Sequence, residues 1–410
     1  MRDQHAIAMS NSDPDKPGVL PEQQVDILIA GGGPVGMALA LALQEYDCSV
    51  LLLEARALPE VVDDPRPLAL SYGSHLILRR LGVWEKLTQP TPILAVHITN
   101  RGHSGQTHLT PGDAGVPALG YVVNYHELYA ALRSQVQQGQ TDYQTGAQVA
   151  SFQTDAQHAR IRYQQNGIDK LASTALLVLA DGGRLAEQVP GVKYQTHDYG
   201  QTAIIANLEV TSQQQGAAFE HFTLDGPLAL LPSGQGYALV WTLPTDKAET
   251  ILQLADQEFL SQLQNSFDNK LINFVAAGQR TSFPLILKHA SNVTAERTVL
   301  IGNAAQTLHP VAGQGFNLGL RDAWELADEI SHTSPGGANE AGSPHMLASY
   351  NKRRRIDREG GRLFTDSLVK LFTRNFPLLQ TATGWGLAAL DHLPPAKRFV
   401  ARRMIFGARG

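Results

Sequence analysis

The chain of 410 residues contains one cysteine, Cys48. A lone cysteine excludes an intrachain disulfide, a CxxC redox pair and a cysteine-built metal site; a buried structural thiol is the reading that remains. Long apolar runs are missing too. None reaches the ~18 residues expected of a membrane-spanning helix, and the N-terminus lacks the apolar core of a secretory signal, so a cytoplasmic location is expected. The 14 histidines form no HExxH or comparable cluster, and His103 with His108 sits in a Gly/Ser/Thr-rich stretch that reads as surface loop. No metal is expected. With 43% hydrophobic and 17% charged residues, the chain can bury a substantial core, expected as two domains in one connected body.

Charge is unevenly placed. Residues 351–410 carry 13 Lys or Arg against 4 Asp or Glu, a formal +9, and the rest of the chain carries −14. Apolar residues are interleaved there (Leu368, Val369, Leu371, Phe372, Phe376, Leu378, Leu379, Trp385). A basic, apolar end suits a membrane surface or a protein partner better than nucleic acid, and a solvated helix packed on the body fits equally well. Residues 1–24 lack apolar periodicity and read as a mobile extension.

The positive signal begins at Val25. An apolar strand runs into Gly31-Gly32-Gly33-Pro34-Val35-Gly36, then an Ala/Leu-rich helix, a second apolar strand (Ser49 to Leu53) and an acid, Glu54. That order and the spacing of ~20 residues are the dinucleotide fingerprint. Gly31 allows a tight turn, Gly33 lets backbone approach a pyrophosphate, and Gly36 lets helix pack on strand. N–H groups at the helix start, beside Pro34, face the phosphate charge, and Glu54 would accept the ribose hydroxyls.

A second segment, Val299 to Ala327, completes the pattern. A short strand ends at Gly302, followed by Asn303, Ala304 and, after Leu308-His309-Pro310, by Ala312-Gly313-Gln314-Gly315-Phe316-Asn317 and a helix from Leu318 onward. Small residues let a planar ring approach the backbone, and free N–H groups of a helix start stabilise negative charge on a reduced flavin's N1–O2 edge. Two distant segments thus read as the halves of one FAD site. Between them, alternating stretches from Gln148 to Ile168 and Tyr199 to Leu243 read as strands and turns. The expected architecture is α/β: a Rossmann-like FAD-binding domain (25–100, 121–185 and 285–350), an inserted β-sheet substrate domain (101–120 and 186–284), and a basic helical C-terminal segment (351–410).

These motifs resemble the flavoprotein aromatic hydroxylases, from Val25 to Arg403. Within that family the stretches Asp64 to Leu70, Arg101-Gly102-His103, Gly226 to Pro232, Gly302 to Ala327 and Thr365 to Val369 resemble the ubiquinone-biosynthesis branch, nearest the 2-polyprenyl-6-methoxyphenol hydroxylases. The resemblance implies a bound FAD, NAD(P)H as a transient co-substrate, O2, and a prenylated phenol hydroxylated by a flavin C4a-hydroperoxide. It also implies peripheral contact with the inner membrane or with other proteins of that pathway, and no nucleic acid. It places His309, Pro310 and Gln314 beside the flavin ring, as the candidate catalytic residues, and Arg66 near the flavin or its phosphates. Two positions depart from the wider family. Asn303 replaces the usual Asp, and after Asp181-Gly182 the family's Ser and Arg are Leu185 and Gln188. Asp181 is therefore either a nicotinamide- or flavin-side residue or a simple turn cap.

Overall fold

The computed structural model describes residues 21–57, 64, 66–100, 106–267, 272–307, 314–333, 340–373 and 392–407; at 362 and 364–373 it describes the backbone alone. The first sheet is wound on the strand Glu22–Ala30, which pairs in parallel with Ile168–Leu179 on one side and Val50–Glu54 on the other. Thr298–Leu300 and Asp142–Thr145 extend it outward, also in parallel. Ile27, Leu28 and Ile29, and Leu51, Leu52 and Leu53, are fully or nearly fully buried. Burial on both faces explains why these strands read as continuous apolar runs rather than alternating ones. Helices Pro34–Leu43 and Gln314–Thr333 pack against each other on one face.

The second sheet is mostly antiparallel. Tyr194–Val210 pairs with Gly236–Pro244 and Thr281–Ala290, and Ala217–Phe222 with Pro227–Ser233. Its outer face packs on helices Thr245–Leu252 and Asp256–Phe267. A small sheet of Pro67–Ser71, Gly120–Asn124 and Thr91–Ile93 bridges the two.

The chain crosses between sheets earlier than the composition suggests. Ala95–Asn100, expected in the nucleotide domain, pairs in parallel with Ala217–Phe222 of the second sheet. His108 lies in the strand Gln106–Leu109 beside it, its ring 4.4 Å from that of His97, rather than in a surface loop. Residues 22–24, read as extension, already pair with residues 171–173. Of the basic C-terminal segment, Pro344–Thr373 and Pro394–Phe406 are helical, while residues 374–391 lie outside the described residues. Part of its charge turns inward: Arg354 is buried against Asp322 and Asp357, and Arg353 meets Glu325, Asp328 and Glu329.

Candidate active site

The turn after the first strand is held by its own backbone. Gly31 N–H donates to Leu53 O at 2.8 Å and Ala180 N–H to Ala30 O at 2.8 Å, so the three central strands are stitched at their carboxyl ends. Gly31 has φ +120°, and a Cβ there would lie 2.5 Å from the Ala180 carbonyl; only glycine fits. A Cβ on Gly36 would stand 2.0 Å from Gly31 O, which makes it the helix-on-strand glycine. Gly33 meets nothing within 4 Å and lines open space. Glu54 closes the cradle: Oε2 accepts from Gly32 N–H at 3.0 Å, and Oε1 from Arg56 N–H and Nε at 2.9 and 3.0 Å. A carboxylate offers about four acceptor directions, so one remains for a ligand hydroxyl.

This cradle opens into a cavity of about 1160 Å³, lined at this end by Gly31, Gly33, Pro34, Glu54, Arg56, Arg66, Asp181 and Arg184. The second segment reaches the same space. Gly302, Asn303, Thr307, Gln314, Gly315, Phe316 and Asn317 all line it. Gly302 has φ +58°, and a Cβ there would press on Val35 at 3.2 Å, so the strand end lies close over the first helix. Two helix N-terminal ends, at Gly33-Pro34 and at Gln314-Gly315, therefore meet one cavity with their positive dipole ends. Together with Arg56, Arg66 and Arg184 they make a site for an anion. The cradle, its steric demand for glycine and the two helix starts fit a dinucleotide with a charged pyrophosphate and a flat ring.

Several expected site residues have structural duties. Asn317 is buried; its Oδ1 accepts from Ser71 N–H and Ser74 Oγ, and its Nδ2 donates to Ala69 O. Asp181 caps its own turn, accepting from Gly183 N–H and Leu185 N–H, while remaining on the cavity wall. Arg66 forks onto Asp64 and lies over the Tyr125 and Phe283 rings at 5.0 and 5.2 Å. Ala304 is buried in a core cluster and is not part of the wall; its carbonyl accepts from Tyr194 Oη at 2.6 Å. His309, Pro310 and Gly313 lie outside the described residues, as do Arg101-Gly102-His103 and the side chains of 365–369.

The far half of the cavity is apolar. Val96, Ile98, Ala203, Ile205, Ala229, Leu231 and Val240 of the second sheet form one wall, and Val400, Ala401, Met404 and Ile405 of the last helix another. The last helix, Arg184 and Glu220 on the wall carry no local sequence signal; no local pattern shows that a helix beginning at Pro394 folds back over a cradle that ends at Gly36.

A family model described as an FAD-binding domain matches residues 24–358. The chain belongs to this FAD-binding family. The ubiquinone hydroxylase UbiL of Rhodospirillum rubrum is 32% identical, the match covering 93% of this chain and 89% of the relative. The 3-demethoxyubiquinol 3-hydroxylase of Escherichia coli is 28% identical over 92% of this chain and 97% of the relative. Among solved structures, the p-nitrophenol 4-monooxygenase PnpA of Pseudomonas putida superposes with a TM-score of 0.73 at 14% identity, covering 95% of this chain and all of that one; this last likeness concerns the fold. The chain is an FAD-dependent monooxygenase.

Proposed function

We propose that this chain hydroxylates a polyprenylated methoxyphenol in ubiquinone biosynthesis, using NAD(P)H and O2. The observation that carries the reading is the continuity of one cavity from the charged dinucleotide cradle to an apolar chamber. Relatives named for ubiquinone hydroxylation support the substrate class. Bound FAD supplies the activated oxygen. The protein's residues do the rest. The Gly31–Gly36 turn and Glu54 hold the nucleotide, and the start of the helix Gln314–Thr333 stabilises negative charge at the ring. Apolar walls exclude water and grip a prenyl chain. The wider chain offers no second GxGxxG unit, so NAD(P)H visits and leaves.

The last helix links this reading to a membrane surface. Val400, Ala401, Met404 and Ile405 face the cavity, while Arg398, Phe399 and Arg402 are exposed, Phe399 at 70%. An exposed aromatic between two arginines suits an anionic lipid surface, from which a prenyl tail would enter. On this reading the protein is cytoplasmic and peripherally bound. The deciding experiment incubates the FAD-loaded chain with NAD(P)H, 18O2 and a prenylated methoxyphenol, and identifies the product by mass spectrometry. One labelled oxygen on the ring is expected. Oxidised product without label would make the chain a dehydrogenase.

A further inference from the structure

Among the described residues, one ionisable side chain stands on the apolar wall of the chamber. In the strand Ala217–Phe222, Ala218, Phe219, Glu220 and Phe222 line the cavity. Glu220 pairs in register with Ile98 on one side and Ala229 on the other; Ala229 pairs with Val240, and Val240 with Ile205. These five residues form one row across the sheet, all on the cavity wall: four aliphatic and one acidic. Glu220 is half-buried, and its Oε1 is buried without a hydrogen-bond partner among the described residues.

The titratable groups on the neighbouring strands meet other partners. His97 stacks on Phe219 at 4.9 Å and meets His108, and His221 Nδ1 lies 2.8 Å from Thr99 Oγ1. The other charged groups of the wall among the described residues are Glu54, Arg56, Arg66, Asp181 and Arg184; burial pushes the Glu220 carboxyl up to about 7. An unpaired carboxyl in such a wall is costly, and the cost is recovered when a ligand brings a donor.

We propose that Glu220 reads the substrate's hydroxyl: its carboxylate accepts the hydrogen bond of a phenolic O–H in the chamber and holds that proton while the ring is oxidised. The O–H bond of the phenol breaks and the O–H bond of the carboxyl forms; the electron pair stays on the ring oxygen, and the pair keeps one negative charge. The freed oxygen donates into the ring and directs attack ortho or para to itself. The inference rests on the proposed hydroxylation of a phenol but not on its prenyl tail.

The test is binding, read from the perturbed absorbance of the bound flavin. The probes are 2-methoxyphenol, its prenylated form, and the O-methyl ether of each. A hydrogen bond to a charged group contributes ~1.5–3 kcal/mol, which is about 10- to 100-fold in affinity. The native protein should prefer each phenol over its ether by at least about tenfold, and the preference should shrink as pH falls through about 7. Glu220→Leu should bind phenol and ether alike, with unchanged ether affinity and flavin content, and Glu220→Gln should lose the pH dependence. A Glu220→Leu protein that keeps the native preference and pH profile would overturn the proposal. If simple phenols show the Glu220-dependent preference while the prenylated phenol gives no product, the prenyl reading fails and this one stands.

Discussion

Asp322 and Gly302 are joined across 20 residues of sequence: the buried carboxylate accepts the Gly302 N–H at 3.2 Å through Oδ2, while its Oδ1 accepts from Arg354 Nε at 2.8 Å. The strand end at Gly302 is thus anchored to an ion network between two helices. Arg354 also donates to Asp357 at 2.6 Å and to Leu318 O at 3.3 Å. Asp322→Asn leaves a buried guanidinium short of its counter-charge, a loss of about 3–5 kcal/mol. Urea denaturation should show it, with weaker FAD retention beside it.

The two cradle glycines separate packing from binding. Gly36→Ala drives a methyl into Gly31 O, and overpacking of this kind costs about 1–3 kcal/mol; the melting temperature of the apoprotein should fall. A methyl at Gly33→Ala meets nothing within 4 Å, so the apoprotein should melt as the native chain does while FAD binds more weakly. Differential scanning calorimetry with and without FAD distinguishes the two.

Glu54→Gln removes a charged acceptor from Gly32 N–H and from Arg56. With ~1.5–3 kcal/mol at stake for a hydrogen bond to a charged group, FAD affinity should drop about 10- to 100-fold. Fluorescence quenching on titration of apoprotein measures it.

Cys48 is half-buried beside Leu43 O, and burial, with Asp26 and Asp47 adding to it, pushes its thiol up to about 11. A raised thiol is neutral below that value, so the reactive thiolate is scarce near pH 8. Labelling by a disulfide reagent should be slow at pH 8, accelerate toward pH 11, and become fast at pH 8 in denaturant.

Arg398→Glu with Arg402→Glu reverses the exposed charge of the last helix and spares its cavity face. Co-sedimentation with anionic vesicles should be lost, and FAD content should not change. Retained sedimentation would remove the membrane surface from the account.

The nucleotide half of the fold was legible because its requirements are local. A tight turn, a close backbone approach and a helix start each demand glycine at a set spacing, and Gly31, Gly33, Gly36 and Gly302 carry those demands on their face. Boundaries were less legible. Ala95–Asn100 has the alternation of any strand, and nothing within it names the sheet it joins; its partner lies more than 100 residues on. Glu220 passed unnoticed for a related reason. In AAFEHF an acid between two aromatics reads as a solvated position, and only the pairing with Ile98 and Ala229 turns it toward the cavity. The basic C-terminal segment misled in part, since Arg353 and Arg354 neutralise acids of the helix Gln314–Thr333 rather than facing solvent.

In the proposed function, the early glycine turn and the later helix start grip one FAD. Equilibrium titration of apoprotein with FAD tests it most directly, using the native chain, Gly31→Val and Gly315→Val. One FAD per native chain is expected, with a large loss of affinity in each variant, at opposite ends of the cofactor. Binding by the native chain that neither substitution weakens, or none at all, would contradict it.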